Sequence, residues 1–285
     1  MRDILKGDAQ ALAVAQVIAQ VRPDVILLQD LDYDAQLLAA GALRDRVAEA
    51  GHFMPHLFAF APNSGVPSGI DLDGDGRTTG PGDAHGFGRY AGQGGMVLLS
   101  RYPITSSQDF SGQSWGSLDW VNRSQIARAW GANWSEMRLA SVGHWQVTVD
   151  LPGGGVDLLV FHATPPVFDG PEDRNGLRNR DQLLFWAHRL DRAGARVVLL
   201  GDANNDPDTG EGRSEAISAL LGHTRLQDPL PGQPTVHWDE QGLAPMRVDY
   251  VLPARELQVV SAGVVRDPPA EIASRHQLVW VDIAR

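Results

Sequence analysis

Residues 197–207 read Val-Val-Leu-Leu-Gly-Asp-Ala-Asn-Asn-Asp-Pro, an apolar run that ends on a glycine and then delivers Asp202 and Asn204 two positions apart. At an extended strand end, residues i and i+2 project to the same side, so a carboxylate and a carboxamide would face a common point. Gly201 permits close approach of another backbone, and Pro207 ends the strand. Such a pair suits a phosphate and a hard metal ion. Two segments downstream carry companions: Arg247-Val-Asp249-Tyr250, and Ser274-Arg275-His276 ahead of an apolar run at residues 278–283.

These groups need elements to position them. Apolar residues at helical spacing predict a helix over 8–21, stopped by Pro23, and then a buried strand at 25–28 ending at Gln29-Asp30. A second helix is expected over 35–50, a strand over 56–60, and a long Gly/Pro/Asp-rich loop from 61 to about 94. Residues 96–99 read as a buried strand closed by Ser100-Arg101-Tyr102-Pro103. The stretch 106–135 is polar and carries Trp115, Trp120, Trp130 and Trp134, which either line a substrate rim or pack inside the loop. Alternating segments at 136–150 and 156–161 around Gly153-Gly-Gly155 predict a hairpin. A helix over 177–190, a strand over 196–200 and a short helix over 214–221 follow, and the C-terminal quarter reads mostly as strands. The polar groups recur at strand ends from Asp30 to His276 without an intervening linker, so one domain over 1–285 is expected.

Composition sets the outer bounds. The chain has 285 residues, 43% of them hydrophobic and 21% charged, as expected of a globular domain with a large core. No apolar run approaches the roughly 20 residues needed to span a bilayer. The formal net charge of -11 argues against a broad electrostatic grip on nucleic acid. It leaves a phosphorylated substrate open, because a bound cation inverts the local field. Zero cysteines exclude thiol catalysis, thiolate metal sites and disulfides.

In order, these segments resemble the endonuclease/exonuclease/phosphatase superfamily of DNase I-like nucleases, inositol phosphatases and neutral sphingomyelinases. Asp24-Val-Ile-Leu-Leu-Gln29-Asp30 resembles the strand that normally ends Gln-Glu and holds the metal. Residues 96–103 resemble its hydrophobic strand followed by Ser-Arg-Tyr-Pro, and Phe161-His162-Ala163-Thr164 its strand with a phosphate-contacting histidine. Gly201-Asp202-Ala203-Asn204 is similar to Gly-Asp-Phe-Asn, Arg247-Val-Asp249-Tyr250 to Arg-Ile-Asp-Tyr, and Ser274-Arg275-His276 stands where Ser-Asp-His is usual.

The resemblance implies an α/β fold, a four-layer sandwich of two packed mixed sheets flanked by helices. It implies hydrolysis of a phosphomonoester or phosphodiester with Mg²⁺ or Mn²⁺. Asp30 would hold the metal. Asp202 and Asn204 would orient the attacking water and the phosphate. His276, with an unperturbed pKa near neutrality, would be the general base, and His162 would bind or protonate a phosphate oxygen. Asp249 would support the histidine or the metal shell.

Three departures follow from the comparison of motifs. Asp30 shortens the ligand arm by one methylene relative to glutamate. Arg275 replaces an orienting aspartate, and a cation beside His276 lowers its pKa unless Asp249 orients the ring. The family's first strand, ending in asparagine, has no counterpart here, which implies a truncated start and a lost signal peptide; the expected compartment is secreted or periplasmic.

A second ion site is expected in the long loop, where Asp71-Leu-Asp73-Gly-Asp75-Gly76 matches the opening of a calcium loop and Asp83 stands in for its closing acidic residue. Arg174, Asn175, Arg178 and Arg180 are available for anions or for capping the helix beside them. The expected protein is a monomer acting on a phosphorylated small molecule or lipid headgroup. The alternatives are a nuclease, or a non-catalytic, calcium-stabilised binding protein on the same fold.

Overall fold

The runs of consecutive apolar residues become strands with two covered faces, because each lies between a second sheet and a layer of helices. The computed structural model describes residues 1–238 and 242–284. Its first half runs α1 (Arg2–Lys6), α2 (Ala9–Val21), β1 (Val25–Leu31), α3 (Leu38–Glu49), β2 (His56–Phe58), β3 (Gly95–Ser100), β4 (Ile104–Asp109), α4 (Arg123–Trp130) and β5 (Gly143–Leu151). The second half runs β6 (Gly154–His162), α5 (Arg174–Leu190), β7 (Val197–Asp202), α6 (Ser214–Leu221), β8 (Asp249–Pro253), β9 (Val259–Val264), α7 (Pro268–Ala273) and β10 (Val279–Ile283).

Among the described residues the strands form three sheets, ordered β4-β5-β6-β7-β8, β1-β3-β2 and β10-β9. All neighbours are antiparallel except β6 and β7. β3 lies over β5, β1 over β7 and β10 over β8, so the two smaller sheets tile one face of the five-stranded sheet. Met96 and Leu98 of β3 meet Trp145, Val147, Leu158 and Val160 across this seam. The alternate residues point outward: Val97 and Leu99 pack under α2 and α3, while Leu159, Phe161 and Leu199 pack under Leu183, Trp186 and Ile217 of α5 and α6. Helix, sheet, sheet, helix is the expected four-layer α/β sandwich.

One layer is divided. Instead of a single sheet opposite the five-stranded one there are two, and among the described residues no strand pairs with the outer edge of β1 or of β10. An open groove runs between those edges, lined by Leu27, Leu28, Leu200, Val251 and Val281. The hairpin forms as β5 and β6, turning at Pro152-Gly153 with Gly153 at φ 97°. The polar stretch 106–135 contains the end of β4 and helix α4. Its Trp115 and Trp134 are core residues packed edge to face, which decides for packing over a substrate rim. The C-terminal quarter also holds α7, whose two prolines occupy its first turn, where no backbone donor is needed.

Candidate active site

Strand parity and register assemble the site. Val198 and Leu200 of β7, Leu158 and Val160 of β6, and Val251 of β8 face the seam, so Asp202, His162 and Asp249 face it too. The register then pairs His162 with Asp202 and Asp202 with Asp249, giving a row of three polar residues across adjacent strand ends. A Cβ on Gly201 would collide with the carbonyl of Phe161, so only glycine lets β6 and β7 close at this point.

Asp202 is buried, and its Oδ2 lies 3.5 Å from His162 Nε2 and 3.9 Å from His276 Nδ1. Asn204 reaches the site by a turn, not by strand alternation: β7 ends at Asp202 and Asn204 has φ 48°. Its backbone N–H donates to Asp202 Oδ1 at 2.7 Å, and its Nδ2 donates to Asp202 Oδ2 at 3.1 Å and to Ala163 O at 3.0 Å. The extended geometry expected for this pair is thus replaced by a loop in which the amide braces the carboxylate.

His276 arrives from the segment after α7. Its Nδ1 is bonded by Asp249, 3.0 Å to Oδ2 and 3.2 Å to Oδ1. Asp249 is fixed in turn by Thr235, whose hydroxyl donates to Asp249 Oδ2 at 2.9 Å and accepts the N–H groups of Val248 and Asp249. Thr235 O accepts from Gln277 N at 2.7 Å, so one short segment aligns both members of the pair. Arg275 is exposed.

The charges respond to burial. Burial opposes a charge on His276, but the hydrogen bond to Asp249 and the charges of Asp249 and Asp202 outweigh both burial and Arg275, raising its pKa to about 9. The ring expected to titrate near neutrality is therefore cationic at pH 7. His162 is held neutral, lowered to about 4 by burial and by the charge of His276. Burial and the charge of Asp249 raise Asp202.

Asp30 takes a different route. A bulge between Gln29 and Leu31 and a φ of 57° turn it away from the alternation of β1. It lies at the rim of the cleft, and a Cβ on Gly94 would lie 2.7 Å from its Oδ1. Its pKa is raised by burial of the carboxyl and by the charge of Asp32, with His276 and Arg275 opposing. Asp32 accepts from Tyr90 Oη at 2.6 Å and Gly94 N at 3.1 Å. A divalent cation fits this chemistry. Carboxylate oxygens of Asp202 and Asp249 lie within 4.8 Å of each other and are the hard donors of the cluster, while His276 is engaged through Nδ1 by Asp249. Asp30 adds a further hard oxygen donor at the rim.

Several supporting residues have no local sequence signal. Asn179 of α5 is buried, and its Nδ2 donates to Thr164 O at 2.8 Å and Ala203 O at 2.7 Å, tying together the exits of β6 and β7. Gln182 accepts from Thr164 N, and Gln29 donates to Phe161 O across the seam. Polar residues on the buried face of α5 were the only clue. The basic residues of this region are engaged elsewhere. Arg178 is buried against the carbonyls of Leu139, His85, Arg138 and Ala140. Arg180 pairs with Asp181, Arg174 donates to Leu72 O, and Asn175 Nδ2 donates to Val167 O. Arg101 bridges to Asp24.

A helix–sheet–sheet–helix sandwich thus carries acids and histidines at one end of its seam. The chain belongs to the Endonuclease/Exonuclease/phosphatase family, whose model matches residues 2–276. Its fold is similar to that of an endonuclease/exonuclease/phosphatase from Beutenbergia cavernae, with 21% identity and a TM-score of 0.64 over 96% of this chain and 65% of that one. The chain thus spans just under two thirds of that protein's length. Sphingomyelinase C from Streptomyces griseocarneus is similar at 17% identity and TM-score 0.50, with 96% and 89% covered. A 3'-5' exonuclease from Neisseria meningitidis is similar at 14% identity and TM-score 0.55, with 97% and 95% covered. Comparison with curated proteins finds no match.

Proposed function

We propose that this chain hydrolyses the phosphate ester of a small molecule or lipid headgroup with the aid of Mg²⁺ or Mn²⁺. The observation that carries the reading is the row His162–Asp202–Asp249 with His276 locked onto Asp249. Asp30, at the rim beside the Asp202 cluster, would hold the divalent cation, which when bound would supply charge neutralisation for the phosphate. Asp202, whose burial makes it a stronger base than an exposed aspartate, takes a proton from the attacking water. As the P–O bond to the leaving group breaks, His276 gives that oxygen its proton through Nε2, the nitrogen that Asp249 leaves free. Neutral His162 contacts a phosphate oxygen, and Asn204 keeps Asp202 in register.

The substrate preference rests on the lip of the cleft. Phe168, 88% exposed, lies with Val167, Trp238 and Leu243 along the same cleft as Asp202, and this suits an ester with an apolar part. The net charge of -11 supports the same choice over nucleic acid. A nuclease is the second reading, favoured by the fold shared with the exonuclease.

The test is hydrolysis of bis(p-nitrophenyl) phosphate, a phosphorylated lipid headgroup and plasmid DNA with each divalent ion. His276→Ala and Asp202→Asn should each abolish turnover. Unchanged turnover in both variants overturns the site; plasmid cleavage without headgroup hydrolysis selects the nuclease; no turnover of any ester selects the binding protein.

A further inference from the structure

The loop between β2 and β3 carries a second cluster, distinct from the one around Asp202. Ligand atoms of Asp71, Asp73 and Asp83 lie within 4.8 Å of one another. Asp71 and Asp73 are exposed, but Asp83 is only 1% exposed, and its Oδ2 is buried without a hydrogen-bond partner. A buried carboxylate oxygen left unpaired is costly, and its presence points to a ligand that completes it. The other oxygen, Oδ1, accepts from Leu72 N at 2.9 Å, which pins Asp83 between the two exposed acids. Gly82 leaves room for Asp73, since a Cβ there would collide with Asp73 Oδ2. Among the described residues no Lys, Arg or His forms a salt bridge with any of the three.

We propose that Asp71, Asp73 and Asp83 bind one calcium ion, which fixes the 61–94 loop. Three carboxylates are hard oxygen donors, and an irregular loop set of this kind suits calcium better than the strictly octahedral Mg²⁺. Asp75 stands outside the cluster of three, and its Oδ1 accepts from Arg77 N at 2.8 Å, in a run of turns in which Asp71 also accepts from Gly74 N and Gly76 N and Asp73 from Asp75 N. The position of the site gives it a structural task. Leu72 O accepts from Arg174 Nη1 at 3.2 Å, docking the loop on the start of α5. At its far end the loop supplies Tyr90 and Gly94 to Asp32, beside Asp30. Calcium would therefore close residues 71–83 of a segment whose Leu72 docks on α5 and whose Tyr90 and Gly94 reach Asp32, without touching the reacting groups.

The experiment is calorimetric titration of chelator-treated full chain with CaCl₂, with the melting temperature and limited proteolysis of the loop read in parallel. Wild type and Asp202→Asn should both bind calcium at the loop with a dissociation constant on the order of 10⁻⁴ M, whether or not the Asp30–Asp202 site also takes the ion, and both should melt higher and resist cleavage within 61–94. Asp73→Ala, altered at an exposed turn, should fold and bind at least about tenfold more weakly; Asp83→Asn should lose the response. Equal heats in wild type and Asp73→Ala overturn the proposal, as does the absence of binding in wild type. Binding lost in Asp202→Asn but kept in Asp73→Ala assigns the ion to the other cluster and overturns it too. Phosphoesterase activity enters none of these readouts, so failure here and failure of the proposed function are separable.

Discussion

Asp249 bonds Nδ1 of His276 through both of its oxygens, at 3.0 and 3.2 Å, even though an arginine directly precedes that histidine in the chain. The orienting carboxylate comes from β8, 27 residues from His276 in sequence. Asp249→Asn should cut turnover by a factor on the order of 10² to 10⁴. It should also move the alkaline limb of the pH–rate profile below pH 9, because the imidazolium loses its main support. An alkaline limb that stays in place would disconnect the pair from catalysis.

Asp202 is predicted to be a group that function retains against stability. Its folded pKa lies above the unfolded value, so the native state is favoured while the carboxyl is protonated. That advantage is lost as pH rises from about 4 through the folded pKa. At neutral pH and without divalent ions, Asp202→Asn should therefore be more stable by about 1 kcal/mol or more while losing activity. Urea denaturation at pH 7.5 with chelator present measures it; a less stable variant would refute the assignment.

Acid should unfold the chain through a buried histidine. His144 is fully buried, stacked on Phe185, and both ring nitrogens lack partners, so burial lowers its pKa to about 3. The unfolded chain takes up this proton near pH 6.5 and the folded chain only near 3. Stability is thus complete above 6.5 and falls at up to about 1.4 kcal/mol per pH unit as pH drops between those values. His144→Leu should flatten this slope by one proton's worth. Denaturation midpoints at pH 7 and 5 for both chains decide it.

Asn179 is expected to matter for turnover without contacting substrate. Removing its amide strands the carbonyls of Thr164 and Ala203 and takes one of two acceptors from the amide of Asn205. Asn179→Ala should cost about 2–4 kcal/mol and lower kcat more than it raises KM, since Ala203 carries Asp202 and Asn204 on either side. Asn179→Asp, which accepts but does not donate, should fail to restore kcat; rescue by that variant would limit Asn179 to packing.

The amino-acid sequence by itself determined the kinds of element and most of the polar residues that meet. Apolar runs such as 96–99 and 197–200 announce strands covered on both faces, and their alternation fixes which side Asp202, His162 and Asp249 occupy. It could not determine what depends on pairing between distant segments. The bulge that turns Asp30 aside, the turn that folds Asn204 back on Asp202, and the clamp by Thr235 arise from register and loop packing, which no local period encodes. The charge on His276 was decided the same way. Its neighbour in sequence argued for a lowered pKa, and only the tertiary structure brought Asp249 and Asp202 close enough to reverse the sign.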